Sequence, residues 1–184
     1  EAPRSAAGEI DFIRDRYVNL AARRVSGIDL SLRWRLPPAP WGDVQLRADV
    51  AHLDRFEQRR EPDSPAQSSL ALNGLPRTRA LAGVHWEHDR WQAGLQASYI
   101  GRFRDSSAPR DDAGAFYRVG SWTGFNGFAG LRLRHGAFAE SELRAGVNNL
   151  FDRAPPLADE DRGFDQLVHD ARGRFLYVEL NSRW

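Results

Sequence analysis

The segment "GRFLYVELNSRW", residues 173–184, carries the reading that decides the fold. Counted back from Trp184 in twos, it gives Ser182, Leu180, Val178 and Leu176; the other parity gives Arg183, Asn181, Glu179, Tyr177 and Phe175. One set is mainly apolar and the other mostly polar, the period of two that a half-buried strand requires. Ser182 is the one poor fit on the apolar side. Chain ends are ordinarily polar and frayed, so an aromatic at position 184 in such a pattern calls for a reason.

The same alternation recurs upstream. Leu143, Ala145 and Val147 alternate with Glu142, Arg144 and Asn148, and Val44, Leu46, Ala48 and Val50 with Asp43, Gln45, Arg47 and Asp49. Ile28, Leu30, Leu32 and Trp34 alternate with Asp29, Ser31, Arg33 and Arg35; Trp91, Ala93, Leu95, Ala97 and Tyr99 alternate with Gln92, Gln96 and Ser98. Weaker patterns over Thr78–Glu87 and Ser121–Arg134 bring the expected count to about seven strands, many near the roughly 9–11 tilted residues that cross a bilayer. Strands of soluble sandwiches run nearer 5–6. Gly124, Gly127 and Gly130 read as sites of close packing or bending, since no strand-to-helix context supports a phosphate loop.

The connections sort by length. "LPPAPW" (36–41), "HDR" (88–90) and "HGAFAE" (135–140) are short, whereas about Leu53–Arg77, Arg104–Gly120 and Asp152–Arg172 are long and polar. Strict alternation of short and long connections is the habit of outer-membrane barrels, with short periplasmic turns and long extracellular loops. Five of the six tryptophans, Trp34, Trp41, Trp86, Trp91 and Trp184, fall at the short-turn end, as an interfacial aromatic girdle would place them. The expected fold class is therefore all-β: an antiparallel up-and-down transmembrane β-barrel.

Composition is compatible. The 184 residues are 41% apolar and 28% charged, and the apolar runs are too short for a helical membrane span. A net charge of +1 argues against a nucleic-acid partner held by bulk electrostatics. All basic residues are Arg, and the lack of Cys removes disulfides and thiolate chemistry. The polar start "EAPRSAAGEIDFIRDRY" carries no signal-peptide pattern, which suggests a removed signal or the tail of a longer protein.

"GIDLSLRWRLP" (27–37), "LRAGVNNLFDRAPP" (143–156) and the closing segment together resemble the last third of a TonB-dependent outer-membrane receptor. The likeness runs through nearly the whole chain from about Asn19. It implies about seven C-terminal strands (24–184, after a loop segment 1–23) of a barrel of about 22 strands, without its amino-terminal plug. It also implies uptake of a scarce ligand such as a ferric siderophore, cobalamin or a glycan, energised through the TonB complex and that plug. The implied location is the outer membrane of a Gram-negative bacterium with the carboxyl terminus periplasmic, and Trp184 would be the aromatic read by the barrel-assembly machinery. Asn149, Leu150, Phe151 and Asp152 form the family motif that opens the last extracellular loop. Seven strands alone leave two open edges that lipid cannot satisfy, so a fragment or a truncated product is expected.

No catalytic residue, metal site or cofactor is expected. His85 and His88, at i and i+3 on a strand, point to opposite sides and make a poor chelate. The acidic stretch "ADEDRGFD" (158–165) misses the EF-hand spacing. Candidate ligand-facing residues are Arg55, Arg59, Arg60, Arg104, Arg110, Asp111 and Asp112, in the loops of the extracellular mouth, where contact with ligand or with outer-membrane lipid and lipopolysaccharide is expected. Arg33, Arg47, Asp49, Arg132, Arg144 and Glu179 are expected to line the lumen, mostly as structural ion-pair partners. Two other classes compete: an outer-membrane enzyme on a smaller barrel, which needs a Ser, His and acid converging at one rim, and a soluble β-sandwich module, which lacks an outward apolar belt.

Overall fold

The computed structural model describes residues 22–59, 64–107, 111–133 and 141–182. Seven long strands lie side by side in chain order: β1 (Ala22–Arg35), β2 (Asp43–Arg59), β4 (Thr78–His88), β5 (Trp91–Ile100), β8 (Trp122–Leu133), β9 (Ser141–Asn148) and β10 (Phe175–Ser182). Every neighbouring pair is antiparallel. β3 (Gln67–Ser68) adds to β2, while β6 (Phe103–Asp105) and β7 (Tyr117–Val119) pair as a separate small hairpin. β1 and β10 are the edges, so among the described residues the sheet is an open wall. No helix of the described residues is long and apolar enough to cross a membrane, which leaves a β-barrel untouched.

The register assembles each strand's alternation into two chemically different faces. Trp34, Leu46, Val84, Leu95, Gly127, Val147 and Leu176 form one continuous cross-strand row, and Leu32, Ala48, Ala82, Ala97 and Phe125 the next. The facing rows are polar: Arg33, Arg47, Gly83, Gln96 and Asn126 in one, Asp43, Glu87, Gln92, Gly130, Arg144 and Glu179 in another. No second sheet covers the apolar face in the described residues: Val178 is 75% exposed and Leu176 72%. A soluble sandwich would bury that face against a partner sheet.

Ion pairs stitch the polar face along and between strands. Arg47 pairs with Asp49, Arg144 with Glu142 at 2.8 Å, and Arg132 on β8 reaches Glu87 on β4 at 3.1 Å. The Arg144 guanidinium also lies 4.5 Å from the centre of the Phe128 ring. Glu179 accepts a hydrogen bond from Asn181 at 2.8 Å. Glycines on this face make room for large neighbours. A Cβ on Gly94 would lie 2.3 Å from the Phe128 ring, one on Gly124 2.1 Å from Trp122, and one on Gly146 2.3 Å from Tyr177. Gly130 is covered in the same way by Gln92, whereas Gly127 meets only ordinary contacts. Ser182, the poor fit on the apolar parity, finds its partner across the edge: its hydroxyl lies 2.8 Å from that of Ser141.

β2 is longer than the alternation indicates. Leu53–Arg59, expected as loop, continue the strand beyond a register shift opposite Ser26 and Gly27. Asp54 is the extra residue there, and inserting one residue reverses the inward and outward parity, which hides the strand from a period-two count. Gly27 is required at this point because a Cβ would stand 2.5 Å from the His52 carbonyl oxygen. At the other end β1 begins at Ala22, two residues inside the expected loop segment 1–23, whose residues 1–21 lie outside the described set.

Candidate functional site: a packed cap of long loops

Among the described residues, buried apolar side chains are scarce, and they sit in the long loops instead of the wall. Phe103 on β6, Val119 on β7 and Ala158 in the β9–β10 connection are buried together, with Val168 packed against them. The two buried apolar residues of the small hairpin, Phe103 and Val119, face one another across its register, so these and Asp105 point into the cap while Arg104 and Arg118 share the opposite side.

Polar side chains tie three long loops into this cap. Asp105 is buried; its carboxylate accepts hydrogen bonds from the Ser107 hydroxyl, from the Ser107 N–H at 2.9 Å and from the Asp159 N–H at 2.9 Å. The Asn73 amide donates to the Ser106 hydroxyl at 2.8 Å and accepts from the Ser106 N–H at 2.9 Å, while the Asn73 N–H donates to the Arg104 carbonyl at 2.8 Å. Gly74, at φ +75°, lets the β2–β4 loop approach the last loop: a Cβ there would stand 2.7 Å from Asp165 Oδ2 and 2.9 Å from Val168.

His169 occupies the centre. It is 7% exposed, stacks on Phe103 at 6.2 Å between ring centres, and meets Trp122 edge-on at 6.4 Å. Neither ring nitrogen has a hydrogen-bond partner among the described residues, nor has Trp122 Nε1. Burial holds the His169 pKa below its usual value; the nearby Asp165 opposes that shift, and Arg79 adds to it.

The motif Asn149-Leu150-Phe151-Asp152 gives the last loop its geometry. Asn149 and Asp152 both adopt left-handed backbone, φ +51° and +54°, which Asn and Asp tolerate better than most residues. Buried Asn149 donates through Nδ2 to the Arg153 carbonyl at 3.0 Å and accepts the Arg153 N–H at 2.9 Å; its own N–H donates to Asn126 Oδ1 at 2.9 Å. Asp152 accepts the Arg174 N–H at 2.7 Å, clamping the loop's end to its beginning. Leu150 donates its N–H to the Phe125 carbonyl, and the Phe151 ring stands edge-on to Phe125 at 5.2 Å on the apolar side.

The expected loop residues are spread over several elements. Arg55 and Arg59 belong to the extension of β2, Arg55 lying 3.9 Å from Glu57. Arg104 is on β6; Asp111 and Asp112 enter the turn between β6 and β7, where Asp111 Oδ1 accepts the N–H groups of Ala113 and Ala115. Arg60, Arg110 and Trp184 lie outside the described residues, as does the 135–140 turn. His85 contacts Glu87 at 2.8 Å, His88 stacks on Trp86, and Trp86 donates its indole N–H to the Trp41 carbonyl at 2.8 Å. The sequence shows the long loops only as polar connections, and the cap core is not legible in it. The available signal was the Phe-Arg-Asp alternation at 103–105 facing Tyr-Arg-Val at 117–119, too brief for a count of periods.

Comparison with known proteins agrees with this architecture. Residues 3–150 match the family model for the TonB dependent receptor-like β-barrel. Among solved structures, the ferric enterobactin receptor PfeA (mutant G324V) from Pseudomonas aeruginosa is similar, with a TM-score of 0.55 and 17% identity over 86% of this chain and 22% of that one. The chain thus spans about a fifth of the length of that receptor. No curated protein sequence matches it. The two-faced antiparallel wall and the family match together place the chain in the TonB-dependent receptor family, as a portion of its β-barrel.

Proposed function

We propose that the chain forms the C-terminal part of the barrel of an energy-coupled outer-membrane receptor that imports a scarce ligand, with a ferric siderophore favoured over cobalamin or a glycan. The observation that carries this reading is the division of one wall into an uncovered apolar face and an ion-paired polar face, capped at one rim by long packed loops. Such a wall suits lipid on one side and a plugged lumen on the other. The siderophore preference draws on the similar receptor's ferric enterobactin, a statement about that protein.

In this reading the short turns are periplasmic and the cap is extracellular. Arg55, Arg59, Arg104, Asp111 and Asp112, with Arg60 and Arg110 next to them in sequence, are the ligand-facing candidates, lipopolysaccharide and membrane lipid surround the belt, and the TonB complex acts through a plug. The barrel performs no chemistry on its cargo. Trp184 serves the barrel-assembly machinery.

The test is uptake. Cells lacking the full-length receptor, grown under iron limitation, should lose import of a radio-iron-loaded siderophore from a panel, and regain it on complementation. Loss of cobalamin or glycan import, with iron uptake intact, would overturn the siderophore assignment. Deleting Trp184 should lower the assembled fraction in the outer membrane; unchanged assembly would refute its role.

A further inference from the structure

The register shift at Asp54 decides which side chains of the β2 extension face the lumen. Counted along the unbroken β1, Arg23, Val25 and Gly27 share the side of Asp29, Ser31 and Arg33, which is the polar face. Val25 stands opposite Phe56 and Arg23 opposite Gln58, so Phe56 and Gln58 lie on that face too. Without the inserted residue, a period of two from Val50 and His52 would carry Phe56 to the apolar side. Side-chain contacts agree: the Arg23 guanidinium lies 5.4 Å from the centre of the Phe56 ring, and its Nη2 donates to Gln58 Oε1 at 3.4 Å. Arg24, Arg55 and Glu57 go to the outer side, where Arg55 lies 3.9 Å from Glu57. Arg55, counted by sequence among the ligand-facing candidates, therefore faces away from the lumen.

The extension is held on both sides. β1 pairs with it as far as Ala22 opposite Arg59, and β3 sets Ser68 opposite Glu57 and Gln67 opposite Gln58. The Phe56 carbonyl accepts the Ser69 N–H at 2.9 Å, and Gln58 Nε2 donates to Ser69 Oγ at 3.4 Å. Gln58 thus holds Arg23 with one end of its amide and the β2–β4 loop with the other. Arg23 has no carboxylate partner among the described residues, and Val25, paired with Phe56, is 53% exposed. A planar cation laid over an aromatic ring beside an open apolar side chain keeps donors free for an anion. Bulges recur at barrel rims where a side chain is re-aimed, and this one brings Phe56 and Gln58 to Arg23.

We propose that Arg23 and Phe56, positioned by Gln58, form a ligand contact on the inner side of the mouth that selects an anionic ligand carrying flat aromatic groups. The guanidinium takes the anionic oxygens, and Phe56 with Val25 packs against a ring of the ligand. A small inorganic anion would use Arg23 and leave Phe56 and Val25 uncovered; an anion with rings uses all three. The proposal rests on the receptor function proposed above, but binding in detergent is scored without import. A receptor that binds and does not import sinks that function alone, and one that imports while indifferent to these residues sinks the contact alone.

The experiment is binding of two iron(III) chelates to the full-length receptor in detergent, an anionic tris(catecholate) and a neutral tris(hydroxamate) without rings, read by quenching of tryptophan fluorescence. The wild type should prefer the catecholate by roughly tenfold or more. Arg23→Gln and Phe56→Ala should each remove most of that preference, and Gln58→Ala, which only frees the guanidinium, a smaller part. Arg24→Gln, the same charge change on the outer side, should leave it intact. Should the first two variants fail to fold, Arg23→Lys, which loses the planar fork, and Phe56→Leu, which loses the ring, carry the same expectation. No preference in the wild type, an unchanged preference in the Arg23 or Phe56 variants, an equal loss from Arg24→Gln, or displacement of the catecholate by equimolar inorganic phosphate would overturn the proposal.

Discussion

Replacing Asn149 by Ala tests how the last long loop is held. Two side-chain hydrogen bonds to Arg153, at 2.9 and 3.0 Å, disappear, and at about 1 kcal/mol each they account for about 2 kcal/mol. Alanine must also adopt φ +51°, adding about 1 kcal/mol. The sum, about 3 kcal/mol, corresponds to a more than hundredfold increase in the equilibrium for opening the loop. Amide hydrogen exchange on the full-length receptor in detergent, read on peptides covering residues 149–174, should show that loss of protection. Asn149→Gly relieves the backbone term and should open the loop several-fold less than Ala. Wild-type protection in the Ala variant would refute the clamp, and a Gly variant as labile as Ala would refute the backbone part of the argument.

His169→Phe keeps the stacking and removes the proton site. Because burial depresses the histidine pKa, the closed cap is fully stable above about pH 6.5 and loses stability as pH falls from there toward the folded value, since the opened cap takes the proton first. The variant should lose this pH dependence of exchange over residues 103–119; its persistence would refute the assignment. Gly146→Ala puts a methyl group 2.3 Å from Tyr177 and should destabilise the barrel by about 1–3 kcal/mol in urea refolding into bilayers. Gly114→Ala, with nothing within 4 Å but φ +75°, should cost only about 1 kcal/mol, and equal costs would undo the packing argument. Val178→Arg on the apolar face should cost about 2–4 kcal/mol in the same assay. Asn181→Arg on the polar face should stay within about 1 kcal/mol, and a reversed order would mean that the faces are misassigned.

The wall was legible because its physics is local. Each strand must present one residue type to lipid and another to the lumen, so Leu176, Val178 and Leu180 announce their face without knowledge of any neighbour. Reading failed where an inserted residue broke the period: beyond Asp54 the parity reverses, and the end of β2 looked like loop. The cap was hidden for a different reason. Phe103, Val119, Ala158 and His169 come from separate loops, and no periodicity links residues whose only relation is contact in space. The Asn149 motif was recognisable by resemblance, but the left-handed backbone that explains its Asn and Asp came only from the structure.

Wall and cap also differ in what holds them. Each wall strand is secured along its length by a ladder of backbone hydrogen bonds, and its apolar face is matched to lipid. Among the described residues the cap has three buried apolar side chains, too few to offset the ordering of long loops by burial alone. Its cohesion therefore depends on side chains that substitute for a ladder: Asp105 gathering Ser107 and Asp159, Asn73 gathering Ser106, Asn149 gathering Arg153. Bonds of that kind are stable while water is excluded and exchange readily once it enters, so the cap opens in a lower range of free energy than the wall beneath it. Under the proposed function that ordering is what a receptor mouth requires, its loops moving over a ligand while the lipid-facing wall stays closed.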